Sequence, residues 1–243
     1  MKSNVSAIII GVSIIIAVFL LSNAYTYKFR TNENVSVVGL AEIDFTSDLI
    51  VWEGSFTRKN FSLKDAYADL KNDENEIRAY LGSKGIPDSS MIFSAVDIMK
   101  EHNNSFDRNG NITGTVFSGY NLTQKVKIES MDIGKVEKLS REVTGLIEKG
   151  IEFNSAAPMY FYTKLASLKM DLLAAASKDA KARAETIAKS AGSKLGKTRK
   201  ATMGVFQITG KNKNENFSYG GSFNTRDKFK TASITVRTEY QLE

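Results

Sequence analysis

Hydrophobic and polar positions follow different spacings along the chain, and each spacing predicts a different element. An uninterrupted apolar run occupies residues 5–21. Residues 35–52 are rich in apolar and β-branched side chains, which predicts two strands or one bent strand. Gly39 interrupts this segment, and a glycine inside a strand indicates a bulge or the close approach of another backbone.

Three later segments have apolar residues at three- and four-residue steps, the spacing of a helix with one buried face. The first begins at Ser62, which forms an N-terminal capping pattern together with Asp65. The second begins at Asp132 and ends at Gly150. The third is the longest and extends from residue 165 to residue 191.

The remaining segments complete a prediction of fold class. Strand patterns occupy residues 91–99, 116–128, 151–162, 203–209 and 232–242. Residues 100–111 and 211–230 are polar and predicted to be surface loops, the second as a hairpin tip or insertion. The order predicts an α+β or mixed α/β fold, in which helices cover an antiparallel or mixed sheet. Two strand–helix–strand units precede the long helix and a C-terminal hairpin.

Small side chains distinguish the third helix from the other two. A row of alanines recurs at three- and four-residue steps, continued by Leu173, Ile187 and Leu195; the alanines are Ala176, Ala180, Ala184, Ala188 and Ala191. Alanine has the best helix propensity and lets the helix backbone approach its neighbour closely. We therefore predict that this row is a helix-packing stripe. Gly192 is predicted to be its left-handed cap.

Positive charge is concentrated in the same region. Residues 164–200 contain ten cations and three anions, so their excess of seven exceeds the +6 of the whole chain. Four cations lie on the other faces of the helix, Lys178, Lys181, Arg183 and Lys189. They form either a solvated face or a surface for anionic lipid, an acidic envelope protein or another subunit. Glu185 and Lys189 have the spacing of an ion pair. Nucleic acid is not expected, because aromatic residues are not interleaved with the cations.

The apolar run at the N-terminus predicts contact with a membrane through residues 5–21. Its 17 residues match the lower limit of about 17 for a bilayer-spanning helix. Lys2 precedes the run, and Tyr25 and Tyr27 lie where an aromatic belt is expected. We predict an uncleaved transmembrane signal anchor. The alternative is a cleaved signal peptide with residues 22–24 as its cleavage site, which releases a soluble protein.

Both interpretations divide the chain into an anchoring segment, residues 1–30, and an exported domain, residues 31–243. Composition then limits the chemistry of that domain. It has no cysteine and a single histidine, His102, in a polar stretch, so no metal site, cofactor or thiol chemistry is expected. The candidate acids for a carboxylate-dependent glycan hydrolase are Asp44, Asp48 and Glu53. We expect a protein that is not an enzyme.

The third helix also carries a family resemblance. Its pattern A-x-x-D-A-x-x-R-A-E-x-I-A-x-x-x-G-x-x-L-G-K resembles that of the SIMPL-domain family; the matching residues are Ala176, Asp179, Ala180, Arg183, Ala184, Glu185, Ile187, Ala188, Gly192, Leu195, Gly196 and Lys197. Residues 37–52 are similar to the family's opening strand pair. Ser118-Gly119-Tyr120 and the ending at residues 236–242 also fit. The resemblance covers about residues 35–243.

The resemblance implies an exported or envelope-anchored bacterial protein. Members of the family are linked to oxidative-stress defence and to immunogenic envelope proteins, and at least one relative assembles into a large ring-like oligomer. The family has no agreed enzymatic activity and offers no catalytic residues. We therefore expect a non-enzymatic envelope protein that forms a homo-oligomer or binds partners. The alternatives are an anionic-ligand module that uses the basic helix, or a glycan hydrolase.

Overall fold

The computed structural model describes the backbone of residues 2–30, 33–213, 215 and 218–243, and the side chains of these except residues 2–9 and 27–30. The helices are α1 (Lys2–Arg30), α2 (Leu63–Ser83), α3 (Ile133–Glu142) and α4 (Leu165–Ser190). The strands are β1 (Asn34–Thr46), β2 (Leu49–Asn60), β3 (Met91–Phe93), β4 (Asp97–Phe106), β5 (Ile112–Ser130), β6 (Phe153–Ser155), β7 (Met159–Phe161), β8 (Leu195–Met203), β9 (Gln207–Gly210) and β10 (Phe229–Leu242).

The strands form two antiparallel sheets. Sheet A has the order β1-β10-β8, and β9 also pairs with β10. Sheet B has the order β3-β5-β2-β6, with β4 beside β5 and β7 beside β2. The predicted α+β class is confirmed, although the chain builds two sheets where the sequence pattern indicated one.

Sheet B is covered by α2 and α3, and the largest side chains of the core lie between these layers. Both helices begin at the predicted caps. The Ser62 hydroxyl accepts a hydrogen bond from the backbone N–H of Asp65 at 3.4 Å, and Asp132 accepts one from Lys135 at 3.1 Å. Fully buried members of this core include Trp52, Phe56, Leu70, Ile77, Leu122, Val126, Ile128, Val136 and Leu146. Leu122, Val126 and Ile128, which lie at even-numbered positions of β5, therefore face this core.

Sheet A is covered by α4, and this contact is unusually close. A Cβ atom added at Gly39 of β1 would lie 2.5 Å from the backbone nitrogen of Ala180 and would also overlap the carbonyl oxygen of Ala176. The prediction of a close backbone approach at Gly39 is thus confirmed. The backbone of β1 at Gly39 and the backbone of α4 at Ala176 and Ala180 meet here, because none of these residues has a side chain larger than a methyl group.

The two sheets are joined by a short corner. Only Ser47 and Asp48 separate β1 from β2. Asp48 accepts hydrogen bonds from the backbone N–H and the hydroxyl of Thr163, both at 2.7 Å. The N–H of Ser47 donates to the carbonyl of Lys228 at 2.9 Å. These bonds tie the corner to the segment that enters α4 and to the segment that enters β10.

Several predicted loops are strands instead. Residues 100–111 lie mostly in β4, because β4 and β5 form a hairpin whose faces are both solvated and whose sequence therefore lacks apolar alternation. Residues 195–200, which lie outside every predicted strand, belong to β8. The strand predicted at 91–99 divides into β3 and β4. In the predicted insertion 211–230, residues 214, 216 and 217 lie outside the described residues, and Lys230 is a buried residue of β10.

The N-terminal apolar run forms most of α1. Its described large apolar side chains, from Ile10 to Leu21, are all more than half exposed. The side chains of residues 5–9 and of Tyr27 lie outside the described residues. No helix among the described residues has the combination of length and apolarity needed to cross a bilayer.

Substitution of Gly39 tests the contact between α4 and β1. We expect Gly39→Ala to lower the free energy of unfolding by about 3 kcal/mol, because its methyl group can be accommodated only if backbone moves. Urea unfolding followed by tryptophan fluorescence measures the change.

The matched control is Gly114→Ala. No atom lies within 4 Å of the Cβ position at Gly114, whose φ lies outside the left-handed region. We expect this variant to change the free energy of unfolding by less than about 1 kcal/mol. Equal effects of the two substitutions would contradict the close-contact explanation.

Candidate functional site

The alanine row of α4 faces sheet A. Ala176, Ala180, Ala184 and Ala188 are buried. Ala191, which the sequence pattern placed in the same row, is exposed, because α4 ends at Ser190 and the chain turns away at Gly192 with a φ of 74°. The buried row therefore has four alanines.

Asp179 fixes α4 at the edge of sheet A. Its Oδ2 atom accepts a hydrogen bond from the backbone N–H of Leu40 at 2.9 Å and another from Nε of Arg183 at 2.8 Å. The backbone hydrogen bond from Leu40 lowers the pKa of this carboxyl, and Arg183 lowers it further by a smaller amount. Asp179 therefore remains ionised and covers one of the outward-facing N–H groups of β1.

The four cations predicted as a binding surface do not form one uniform patch. Arg183 is held by Asp179, and Lys181 lies 3.7 Å from Glu185. Glu185 therefore pairs with Lys181, one turn before it on the helix, and not with Lys189 as predicted. Lys178 and Lys189 are exposed. Two of the four predicted cations are thus neutralised by carboxylates of α4 itself.

Further cations lie on β8, the strand that follows α4. Lys197, Arg199 and Lys200 are exposed there, and among the described strands β8 is an edge strand that pairs only with β10. The ladder between β8 and β10 also shifts register on both sides of Tyr240. Charged side chains and bulges are the devices that prevent edge strands from pairing with other chains. The basic character of β8 therefore protects an edge.

The candidate acids make structural contacts. Asp44 accepts a hydrogen bond from Lys211 at 2.9 Å, and this contact lowers its pKa. Asp48 is bound to Thr163 at the corner between the sheets. Glu53 lies further along the chain, on β2. Within the described parts of the chain, no group of three or more acidic or histidine side chains is arranged to hold a metal ion.

A hollow of about 530 Å³ lies on the face of sheet A that α4 leaves uncovered. Leu40, Val205 and Tyr219 contribute its apolar lining, and Glu42 is the one carboxylate that lines it in the described structure. Glycoside hydrolysis needs two carboxyl groups about 5–10 Å apart. This hollow supplies one of them.

The hairpin of β4 and β5 is a surface that the sequence pattern missed. Here we call residues 97–117 the arm. Within the described part of the chain, β4 pairs only with β5. The turn is closed by Asp107, whose carboxylate accepts hydrogen bonds from the backbone N–H groups of Asn109 and Asn111 at 2.8 and 2.9 Å. The backbone hydrogen bond from Asn111 lowers the pKa of Asp107. The dipeptide Asn109-Gly110 is the hairpin signal that could have identified the arm.

Large apolar side chains are exposed along the arm. Phe106, Ile112 and Val116 are each 61% exposed. Phe106 and Ile112 are paired across the end of the ladder. His102, predicted to be a solvated loop residue, lies on β4 with its ring 5.8 Å from that of Phe117. The arm therefore projects an apolar tip on a two-stranded ribbon, an arrangement that is marginally stable in water by itself.

A buried lysine lies where β10 meets β7. Lys230 is 2% exposed, and its Nζ atom donates to the carbonyl of Tyr160 at 2.5 Å. Burial lowers the pKa of Lys230 to about 8. The hydroxyl of Tyr160 donates to Glu137 at 3.0 Å, and burial together with this carboxylate raises the pKa of Tyr160 to about 12. These groups link the two sheets through polar contacts.

Comparison with protein families gives one match. Residues 35–241 match the model of the SIMPL family, described as a protein of unknown function (DUF541), and the match covers far more than half of the chain. The chain belongs to the SIMPL family. No curated protein shows a significant match. The SIMPL domain includes both sheets, the arm and α4, and the resemblance noted from the sequence is confirmed.

The buried Lys230 predicts how stability depends on pH. Between pH 8 and 10.5 the folded lysine loses its proton while the unfolded lysine retains it. The unfolded state then binds more protons, so the free energy of unfolding rises with pH, by up to about 3 kcal/mol. Lys230→Met lacks this contribution. Urea unfolding at pH 7, 8, 9 and 10 measures the difference between the two proteins.

Lys228→Met is the matched control, because Lys228 is two residues away and its side chain is 30% exposed. We expect the pH dependence of this variant to follow that of the unsubstituted protein. If the pH dependence of Lys230→Met also equals that of the unsubstituted protein, Lys230 is charged in both the folded and the unfolded state, and the explanation is wrong.

Proposed function

We propose that this SIMPL protein is a non-enzymatic component of a bacterial envelope that acts by assembling with copies of itself. The arm is the observation that carries the proposal. Its apolar tip has no cover within the described chain, and exposed apolar surface on a projecting ribbon marks a site of protein association. The ordered turn at Asp107 and Asn111 holds this tip in a fixed shape.

The contacts of the acidic side chains support a role other than catalysis. Asp44, Asp48 and Asp179 each accept hydrogen bonds that fix backbone segments or strands together. Hydrogen bonds to Asp44 and Asp179 lower the pKa of each carboxyl, whereas a general acid needs a raised one. These carboxylates therefore hold together the elements of the domain from which the arm projects.

We further propose that α1 holds the SIMPL domain at a membrane. Within the described structure, no other part of the protein buries the exposed isoleucine, valine and leucine side chains of α1. Exposed apolar side chains in such number associate with lipid or with another apolar surface. Residues 31–243 then lie outside the cytoplasm, as both the anchor and the signal-peptide interpretations of the run imply.

Fractionation of expressing cells tests the role of α1. We expect the full chain to sediment with membranes and to remain there after an alkaline carbonate wash, because apolar contacts resist high pH. A chain of residues 31–243 with a cleavable export signal is the control, and it should appear in the soluble fraction. Recovery of the full chain in the soluble fraction would show that α1 does not attach to lipid.

Variants of the arm test assembly. Light scattering after size exclusion of the full chain in mild detergent should give a discrete multimer. We expect Phe106→Ser combined with Ile112→Ser to reduce its mass at least twofold, because the paired apolar tip is lost. The control combines Asn104→Ser with Thr115→Ser, a polar pair in the same ladder. A monomeric unsubstituted protein would contradict self-assembly, and a multimer that keeps its mass in the tip variant would contradict the role of the arm.

A further inference from the structure

The free edge of β1 presents unpaired backbone groups. β1 pairs with β10 along its whole length and with no other described strand. The N–H of Leu40 donates to Asp179, so it points away from β10. Residues of an antiparallel strand direct their backbone groups to alternate sides. Asn34, Ser36 and Val38 therefore present their N–H and C=O groups to the same free edge.

The two edges of sheet A are built differently. The β8 edge carries Lys197, Arg199 and Lys200, and its ladder is interrupted by register shifts. From residue 34 to residue 40, β1 has no charged side chain, and its ladder with β10 is regular from end to end. An uncharged edge without a bulge lacks the features that prevent pairing with another strand. The β1 edge is therefore the one that is open to a further strand.

A groove of about 520 Å³ runs between this edge and α4. Its lining consists of Ser36, Val37, Val38, Ala182, Arg183, Thr186 and Ile187. Ile187 was expected in the buried alanine row, but it is 47% exposed beside the groove. Ala182 has a small side chain that leaves room for the close approach of a second helix. The groove therefore offers strand hydrogen bonds on one side and an apolar helix contact on the other.

The charge of the groove indicates its occupant. Arg183 is the charged side chain among its lining residues, and Asp179 neutralises it at 2.8 Å. An acidic peptide or a lipid phosphate needs an unpaired cation. A neutral surface suits a second copy of itself, because a two-fold axis brings each charge near the axis close to its own equivalent. Neutrality beside a free strand edge therefore favours a second copy.

We propose that β1 pairs antiparallel with β1 of a second copy about a two-fold axis at Ser36. This inference rests on the proposed self-assembly and specifies one of its contacts. Asn34 then lies opposite Val38 of the partner subunit, and Ser36 lies opposite Ser36 of the partner subunit. All of these residues direct their backbone groups to the free edge, so the pairs can exchange hydrogen bonds. A two-fold axis at Val37 would bring together residues whose groups already point to β10.

The same two-fold axis accounts for the point at which the pairing ends and for the exposure of Ile187. Beyond Val38 the next outward N–H is that of Leu40, which Asp179 already occupies. The added ladder is therefore limited to residues 34–38. Both α4 helices lie on the same face of the joined sheet, because an axis perpendicular to a sheet preserves its faces. Ile187 and Thr186 of each α4 then cover one another across the axis.

Spin labels test this arrangement directly, because the chain has no cysteine. Ser36→Cys, Asn34→Cys and Val38→Cys are labelled singly in the full chain in mild detergent. At Ser36 the two Cα atoms are expected to be about 5.5 Å apart, which broadens the spectrum strongly. At Asn34 and Val38 they are both expected to be about 14 Å apart. Lys200→Cys on the opposite edge is the control and should show no broadening.

The results separate this inference from the proposed function. Broadening at Ser36 that disappears when unlabelled chain is added in excess supports the two-fold pairing. A multimer without broadening at Ser36 overturns the pairing but leaves self-assembly intact. A monomer by light scattering overturns both.

A proline provides a second measurement. The N–H of Ser36 points away from β10, so Ser36→Pro removes a donor from the free edge and leaves the β10 ladder its hydrogen bonds. We expect at least a tenfold weaker dimer than for the control Ser36→Ala, measured by the concentration dependence of mass. A folded Ser36→Pro protein that associates as strongly as Ser36→Ala would overturn the pairing. The spin-label result stands independently if the proline variant fails to fold.

Discussion

The close contact between α4 and β1 is the constraint on which the rest of the SIMPL domain depends. Gly39 and the alanines let two backbones meet where ordinary side chains would hold them apart. Only at this separation can Asp179 reach the N–H of Leu40. The same contact decides that Ile187 lies outside the buried row and that a groove remains beside the strand. Packing, edge protection and the proposed subunit contact therefore have one physical origin.

Local patterns determined how much of the fold could be predicted. α2 and α3 were predictable because each has a periodic apolar face and a recognisable N-terminal cap, Ser62 or Asp132. β4 was not, because both of its faces are solvated and its side chains do not alternate. The division into two sheets was also not predictable, because pairing of β1 with β10 joins segments almost 200 residues apart. Nothing near β1 in the sequence indicates that partner.

The candidate site was predicted in the same uneven way. The sequence identified the alanine row and Gly39 as parts of a close contact, since residue size is visible without a structure. It did not show that Lys181 and Arg183 are paired on the helix, because spacing alone allows Glu185 to pair in either direction. The arm carried a readable signal at Asn109-Gly110, but the surrounding polar residues concealed it. Surface function depends on which groups remain unpaired, and that depends on the fold.

The direct passage of β1 into β2 has a mechanical consequence. A pull on the N-terminal end of β1 at Asn34 is transmitted along the strand to the corner at Ser47 and Asp48. A pull directed along β1 loads the ladder with β10 in shear, so the hydrogen bonds along the strand share the load instead of opening one after another. Such a strand resists extension far better than one that is peeled from its end. For a pull in that direction, β1 is a tension-bearing link, and the α4 layer acts as its clamp.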